Sequence, residues 1–580
     1  MNTIQEFIMH LKEIYYLSFS SFKKLIYIYF LVCLGTVFEI IGIGLIIPFF
    51  STLFDKTSST YINALFEFIN IDPPNNALAF IAILIFLSLV LKTIVMIYIQ
   101  YLQTKFCQET TIRLRRKILK SFFDTPYSNY KKQKRASLIY STHDLSARFG
   151  SILMNVIKAF SDLVFALAII IFLSTIDIYF LLSFLALMVC WLIIYDIAFG
   201  NKLKIYGEEV NVHNKKIISI SGENFDGYKE IILLRCRDWF ENRLFITCKR
   251  LAKTLIKHSL IYFFQHQILE IITAGILLGS IVVFVLSGED PTVIVAKLGV
   301  FAFGILRLKP IAVTISRAIS DFRFNRDVIN ILTNDLSAIS NLNISGQQKL
   351  KVSLKEDEIS FEFLELDNVT YIYDLDDIPI LENVSLKINK GDIVGIKGES
   401  GSGKTTLLDI ISGMLTPSSG NIFVNGYSAE KASKIISMII GYIPQSTFII
   451  DGTVLTNVAI GVEKSSINLG KVKDSLLRAG LKNFVNDLER EVGEAGRFLS
   501  GGQIQRLSIA RQFYNNNEIL ILDESTNALD KETEEEIIKD LKNMKERPTI
   551  IIVSHNLRYK EFCNKIFEIE KGILRGPISS

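Results

Sequence analysis

The chain is poor in tryptophan, with 2 Trp beside 41 Phe and 21 Tyr in 580 residues. It also lacks any C-x-x-C pair. Its six cysteines, Cys33, Cys107, Cys190, Cys236, Cys248 and Cys563, are scattered along the whole length. That spacing speaks against a disulfide framework or a thiolate zinc site and leaves thiols that face cytosol or lipid. Net charge is only +4, too small to imply a nucleic-acid partner, so the placement of charge carries more information than its sum. No small-residue cleavage pattern follows a short apolar core near the N-terminus, and no cleaved signal peptide is expected. Apolar sequence is what the chain has in excess. It is 49% hydrophobic with a mean hydropathy of +0.34, high for a soluble enzyme of this size, and its length suggests more than one domain.

The apolar residues collect before residue 320. Runs near 24–50, 77–103, 152–175, 178–199, 260–287 and 291–316 each reach the roughly 20 residues that a helix needs to cross a bilayer core. Between the second and third runs lie Arg113, Arg115, Arg116, Lys117, Lys120, Lys131, Lys132, Lys134 and Arg135. Between the fourth and fifth lie Lys202, Lys204, Lys215, Lys216, Lys229, Arg235, Arg237, Arg243, Lys249 and Arg250. The alternate connections have almost no Lys or Arg. The positive-inside bias therefore puts the two long loops and both termini in the cytoplasm. Long inner loops and short outer ones further suggest helices that continue well into the cytosol.

From 321 to 360 the sequence turns polar and mixed ("NLNISGQQKLKVSLKEDEIS"), and this stretch reads as a linker. Beyond it, strand-like runs ("DIVGIKG", "GNIFVNG", "ISMIIGYIP", "EILILDE", "TIIIVSH") alternate with helical ones, the pattern of an α/β domain with a largely parallel core sheet. The expected organisation is a six-helix all-α transmembrane domain over 1–320, the linker over 321–360, and an α/β P-loop domain over 361–580.

The strongest local signal is "GESGSGKT", residues 398–405, directly after the strand run "DIVGIK". Gly398, Gly401 and Gly403 let backbone N–H groups turn inward around phosphate oxygens, where side chains would clash. Glu399, Ser400, Ser402 and the following Thr406 complete the expected nucleotide-binding run. Lys404 is placed to reach the β- and γ-phosphates, and the Thr405 hydroxyl to help hold Mg²⁺. The apolar run "EILILDE" ends in Asp523, suited to Mg²⁺, and Glu524, placed to polarise an attacking water.

Between these two motifs stands "LSGGQ", residues 499–503, and here the chain resembles the ATP-binding cassette (ABC) family. The resemblance implies that Ser500, Gly501, Gly502 and Gln503 contact the γ-phosphate held by an opposite subunit. "YIPQ" is similar to the family's Q-loop and gives Gln445, with metal and catalytic roles. "STNALD" is similar to the D-loop and ends in Asp530, and "IIVSH" gives the switch histidine, His555. "VTYIYD" resembles the loop in which an aromatic residue stacks on adenine: Tyr373, with Tyr371 as the alternative. "EVGEAG", 491–496, is similar to the X-loop of exporters, with Glu494 at its centre. One membrane domain followed by one cassette looks like half of an exporter of the type IV fold. Since the phosphate loop and signature must meet across an interface, the resemblance implies a dimer. With no degraded motif, a homodimer with ATP and Mg²⁺ at two active sites is expected. It also implies coupling helices near 122–130 and 221–231, and alternating access driven by ATP.

For the cargo, three features resemble bacterial lipid-linked oligosaccharide flippases. They are the opening stretch "VFEIIGIGLIIPFF" (37–50), the run "ILRLKPIAVTISRAISDF" (305–322), and the outer loop 51–76 with its amphipathic "YINALFEFINI". The glycines Gly42 and Gly44 also suit close helix packing. Charged groups at membrane depth, Glu39, Lys92, Glu270, Arg307 and Lys309, are expected to face a bundle interior and find partners. At 1.5 Å per residue Glu39 lies about 16 Å below the outer end of its run, and Lys92 and Arg307 about 22 Å, so Glu39 can pair with either. Glu39, Lys92, Arg307 and Lys309 are thus candidate contacts for an amphiphilic anionic cargo such as a polyprenyl-pyrophosphate glycan in a bacterial inner membrane. The alternative is export of a peptide, lipid or drug. No peptidase-like domain precedes the first run, which argues against peptide exporters that process their own leader. A different class of reading is a channel or receptor that ATP only regulates.

Overall fold

The structure, a computed structural model, describes residues 22–45, 77–176, 178–286, 291–346, 360–373, 378–428, 438–523, 539–543, 547–554 and 561–578, with Glu13, Leu17, Phe49, Ala432, Ile435 and Ile436. The chain divides into two compact units, residues 1–125 with 130–348, and residues 126–129 with 349–580.

The first unit is helical. A long helix stands at each of the six expected runs: α1 (Phe22–Gly44), α2 (Ala77–Phe123), α3 (Ser146–Ser174), α4 (Ile178–Asp226), α5 (Arg237–Leu286) and α6 (Pro291–Phe324). Among the described residues, the segments Lys23–Gly44, Leu78–Phe123, Arg135–Ser174 and Leu181–Asp226 are long and apolar enough to cross a membrane. Helix α2, at 47 residues, and α4, at 49, outrun a bilayer core by more than a factor of two, as the long basic inner loops require. The basic residues of those loops are therefore largely helical, not loop.

Bundle packing uses buried apolar rows and small residues. One cluster gathers Ile28, Val32, Phe106, Leu114, Phe149 and Ile157 from α1, α2 and α3. A second gathers Ile169, Leu173, Phe184, Leu269, Phe301 and Ile305 from α3 to α6. A Cβ on Gly42 would sit 3.0 Å from the Ser88 hydroxyl, so this glycine does set a close approach of α1 to α2. At Gly207 in α4 a Cβ would overlap the Phe324 carbonyl oxygen, the tightest approach in the bundle among the described glycines.

The stretch read as a linker begins as helix. Helix α6 runs on through 321–324, and α7 (Arg326–Gly346) follows after one residue. Its Val328, Ile329, Leu332 and Leu336 are buried in the first cluster, at the spacing of one helical face. Four apolar residues in a polar sequence suffice to dock a helix. They are too sparse to stand out by composition. Near the expected coupling positions lie two short helices, Tyr127–Lys131 and Tyr228–Leu233, and residues 126–129 group with the second unit. The outer loop 51–76 lies outside the described residues.

The second unit is α/β. Its six-stranded sheet has the order β10-β9-β3-β8-β7-β6, formed by β3 (Ile393–Gly398), β6 (Ile440–Ile443), β7 (Ile519–Asp523), β8 (Thr549–Ser554), β9 (Lys565–Glu570) and β10 (Ile573–Ile578). All pairs but the β9–β10 hairpin are parallel. The central strands are almost wholly buried and largely apolar because both faces are covered. A four-stranded antiparallel sheet, β2-β1-β4-β5, adds β1 (Phe363–Tyr371), β2 (Leu381–Asn389), β4 (Ser419–Val424) and β5 (Tyr427–Ser428). One core cluster joins that sheet and helix α8 (Lys404–Ile411) to the parallel sheet. A second joins the other side to the helices Val454–Val458, α9 (Leu469–Arg478) and α10 (Gly501–Tyr514).

Candidate functional site

Parallel strands point the same way, so the carboxyl ends of β3, β8 and β7 lie along one edge. Lys397 pairs with Ser554, and Asp523 with Val553, so the strand end that enters the phosphate loop and the one that carries Asp523 flank β8. The loop turns on two glycines in the left-handed region, Gly401 at φ +82° and Gly403 at φ +106°. A Cβ on Gly401 would meet nothing within 4 Å, so that glycine serves backbone conformation. At Gly398 a Cβ would sit 2.6 Å from Ile569 and from the Ser402 hydroxyl, so this one is needed for space.

Helix α8 begins directly at Lys404, with the N–H groups of its first turn at the loop. The first-turn amides and the helix dipole together favour an anion. Lys404 is 6% exposed, and its Nζ donates to the carbonyl oxygens of Gly398 and Glu399, both at 2.8 Å. An ammonium resting on two carbonyls of its own loop can exchange them for phosphate oxygens without leaving the cradle. The Ser402 hydroxyl is buried without a hydrogen-bond partner, and Thr405 is exposed on the helix's first turn. This donor set fits a nucleotide triphosphate with its Mg²⁺.

Around the loop, the Tyr373 hydroxyl lies 3.4 Å from the Thr406 hydroxyl, and its ring meets Tyr371 edge to face at 5.0 Å. Tyr371 is buried in the core and Tyr373 is only partly so, which favours Tyr373 as the exposed aromatic face. Asp523 accepts a 2.6 Å hydrogen bond from the Tyr442 hydroxyl. Burial, and then that bond, push the Tyr442 phenol well above its usual range, so it stays a donor. The sequence reading passed over Tyr442, although the strand register that sets Tyr442 beside Ile521 follows once β6 and β7 pair. Gln445 is exposed two residues past the end of β6.

Ser500 caps α10. Its hydroxyl accepts from the Gln503 N–H at 3.2 Å, and the Gln503 side chain accepts from the Ser500 N–H at 3.0 Å. The cap leaves Ser500 and Gly501 exposed, with Gly502 half-buried, at the head of a helix that belongs to the second core cluster. The phosphate-loop strand and helix belong to the first. Glu494 is also exposed. Glu524, Asp530 and His555 lie outside the described residues.

A separate charged group lies in the helical unit. Glu39 on α1, 4% exposed, bonds Lys92 on α2 and also accepts from Arg307 Nε on α6 at 3.0 Å. Both pairings that the sequence left as alternatives form together. Lys309 approaches Glu270 at 3.6 Å, and the Arg307 guanidinium also stacks 5.3 Å from the Phe303 ring.

Two family models match the chain: the ABC transporter transmembrane region over residues 25–295, and the ABC transporter model over 381–527. The alpha-hemolysin translocation ATP-binding protein HlyB of Escherichia coli O157:H7 is 33% identical over 216 residues, 36% of this chain and 30% of that protein. The ATP-dependent lipid A-core flippase of Ralstonia nicotianae is 34% identical over 215 residues, 36% of each chain. The chain thus spans about a third of the length of the curated relatives it matches. In structure it is similar to a bacterial Atm1-family ABC exporter with ATP bound, with a TM-score of 0.70 at 19% identity over 96% of this chain and 95% of the other.

Proposed function

This chain belongs to the ABC transporters, as the two family matches along most of its length establish, and from that premise we propose that it hydrolyses ATP to move an amphiphilic anionic substrate across a membrane. Two copies would form the working unit. In each site Tyr373 stacks on adenine, and the amides of the 398–406 run with Lys404 cradle the phosphates. Ser500, Gly501, Gly502 and Gln503 arrive from the other copy, for which the exposure of Ser500 and Gly501 leaves the head of α10 available. Thr405, Gln445 and Asp523 would hold Mg²⁺, which when bound neutralises charge on the β- and γ-phosphates. Tyr442 keeps the Asp523 carboxylate oriented. Glu524 orients and deprotonates the attacking water, His555 steadies the transferred phosphoryl, and Asp530 links the two sites.

The finer reading is a polyprenyl-pyrophosphate oligosaccharide, flipped across a bacterial inner membrane with both termini cytoplasmic. The observation that carries it is the charge count around Glu39, one carboxylate paired with two cations, Lys92 and Arg307, among the described residues. A surplus positive charge at membrane depth calls for an anion. The flippase relative moves in the same direction of chemistry, since its name gives lipid A-core as cargo. The hemolysin translocation relative supports a second reading, export of a polypeptide.

Arg307→Ala separates cargo contact from simple ordering of the helices, because Lys92 remains to hold Glu39. With a lipid-pyrophosphate substrate added, the variant is expected to keep basal ATP hydrolysis while losing most of the substrate-stimulated part. Unchanged stimulation together with unchanged transport rules out a head-group role for Arg307.

A further inference from the structure

A second anion-seeking feature lies away from both sites, where α1 and α2 pack side by side. Lys23, Lys24, Tyr27, Ile28, Leu102, Lys105, Phe106 and Glu109 line a groove of about 320 Å³. Its floor is apolar, since Ile28 and Phe106 are buried. Its rim is basic and exposed, with Lys23 and Lys24 at the start of α1 and Lys105 on α2. Among the described residues that line it, one carboxylate answers three ammonium groups. Glu109 is bonded to Lys24 at 2.8 Å, and the Lys105 ammonium lies 5.9 Å from the centre of the Tyr101 ring.

The place of this groove along the helices is informative. The first apolar run begins near residue 24 and the second ends near 103, so the groove marks the level at which both leave the bilayer core. The same side collects the arginines and lysines of the inner loops, so it is the cytoplasmic boundary. Tyr27, Tyr98 and Tyr101 are exposed beside the groove, and the last two stack at 6.5 Å. Exposed tyrosines at one level are the mark of a head-group zone.

We propose that this groove binds an anionic phospholipid of the cytoplasmic leaflet, its phosphate between Lys23 and Lys105 and an acyl chain along Ile28, Leu102 and Phe106. Charge complementarity selects the lipid. A neutral lipid would leave the rim's positive surplus unanswered, and a soluble phosphate would not use the apolar floor. The proposal rests on α1 and α2 being membrane helices and not on the identity of the cargo.

The test is the double variant Lys23→Gln/Lys105→Gln, neither residue belonging to the ATP site or the Glu39 group. The purified full-length protein is equilibrated with equal amounts of phosphatidylglycerol and phosphatidylcholine, and the retained lipids are counted by native mass spectrometry. Each lysine at a leaflet surface contributes about a fivefold preference for anionic lipid, so the wild type should favour phosphatidylglycerol and the preference should fall about twenty-five-fold in the variant. Basal ATP hydrolysis in phosphatidylcholine nanodiscs should stay unchanged, which separates lipid loss from misfolding. If the variant fails to fold, the wild type alone still decides, because high salt should erase its preference. Equal retention of the two lipids by the wild type, a preference that survives the double substitution, or one indifferent to salt would each overturn the proposal.

Discussion

Lys404→Ala is expected to lower ATP turnover by about a hundredfold or more, the usual consequence of removing a preorganised donor from a site where phosphate charge develops. The Nζ of Lys404 is buried and already held by two carbonyls of its own loop. Its positive charge therefore needs no recruitment from solvent when phosphates enter, and an alanine offers no replacement. The two carbonyls that it satisfies would be left facing the incoming anion, which adds repulsion to the lost attraction. Phosphate release by the purified protein measures turnover, and thermal unfolding without nucleotide checks that the loop still folds. Turnover within threefold of the wild type would show that the fold of the loop, and not its lysine, supplies the binding energy.

The second large effect is expected at Glu39. It is the only carboxylate among the described residues that holds cations from two other helices at membrane depth, joining α1 to α2 and to α6. Glu39→Gln keeps the volume and leaves Lys92 and Arg307 without a counter-charge. Removing one partner of a buried ion pair costs about 3–5 kcal/mol, reduced here because Arg307 is about one-third exposed. A fall of several degrees in the thermal inactivation midpoint in detergent should follow. Adding Lys92→Met should restore part of it, because one uncompensated charge is then removed. A midpoint that does not move would mean that water or lipid head groups already satisfy both cations, and the joining role of Glu39 would be lost.

Sequence and structure agree best where a motif is local. The phosphate loop is a run of eight residues, and the glycines that its sequence marks for an inward-turned backbone include the two that the structure puts in the left-handed region, Gly401 and Gly403. The apolar runs gave the six helices for the same reason, since hydropathy is read residue by residue. Depth counting brought Glu39 level with Lys92 and Arg307 to within a turn or so of helix, close enough for long side chains to meet. What escaped depends on register between distant segments. The bond from Tyr442 to Asp523 exists because β6 and β7 pair in parallel, with Ile443 beside Leu522. No motif encodes that alignment. Of the antiparallel sheet the sequence marks only β4, through "GNIFVNG"; β1 and β2 went unread because they mix buried with exposed residues and so lack the long apolar runs of the parallel core. Helix α7 was hidden by its polar surface.

The central proposal is that ATP hydrolysis drives a pyrophosphate-bearing lipid from one leaflet to the other. The direct measurement is transport by the protein reconstituted in liposomes carrying a fluorescent polyprenyl-pyrophosphate glycan on the leaflet that faces ATP. The account predicts that the glycan becomes inaccessible to an added quencher only with ATP and Mg²⁺, and that Glu524→Gln abolishes this while retaining ATP binding. A glycan that never moves, or that crosses equally well with Glu524→Gln, would contradict it, the latter outcome pointing to a pathway that ATP gates but does not power.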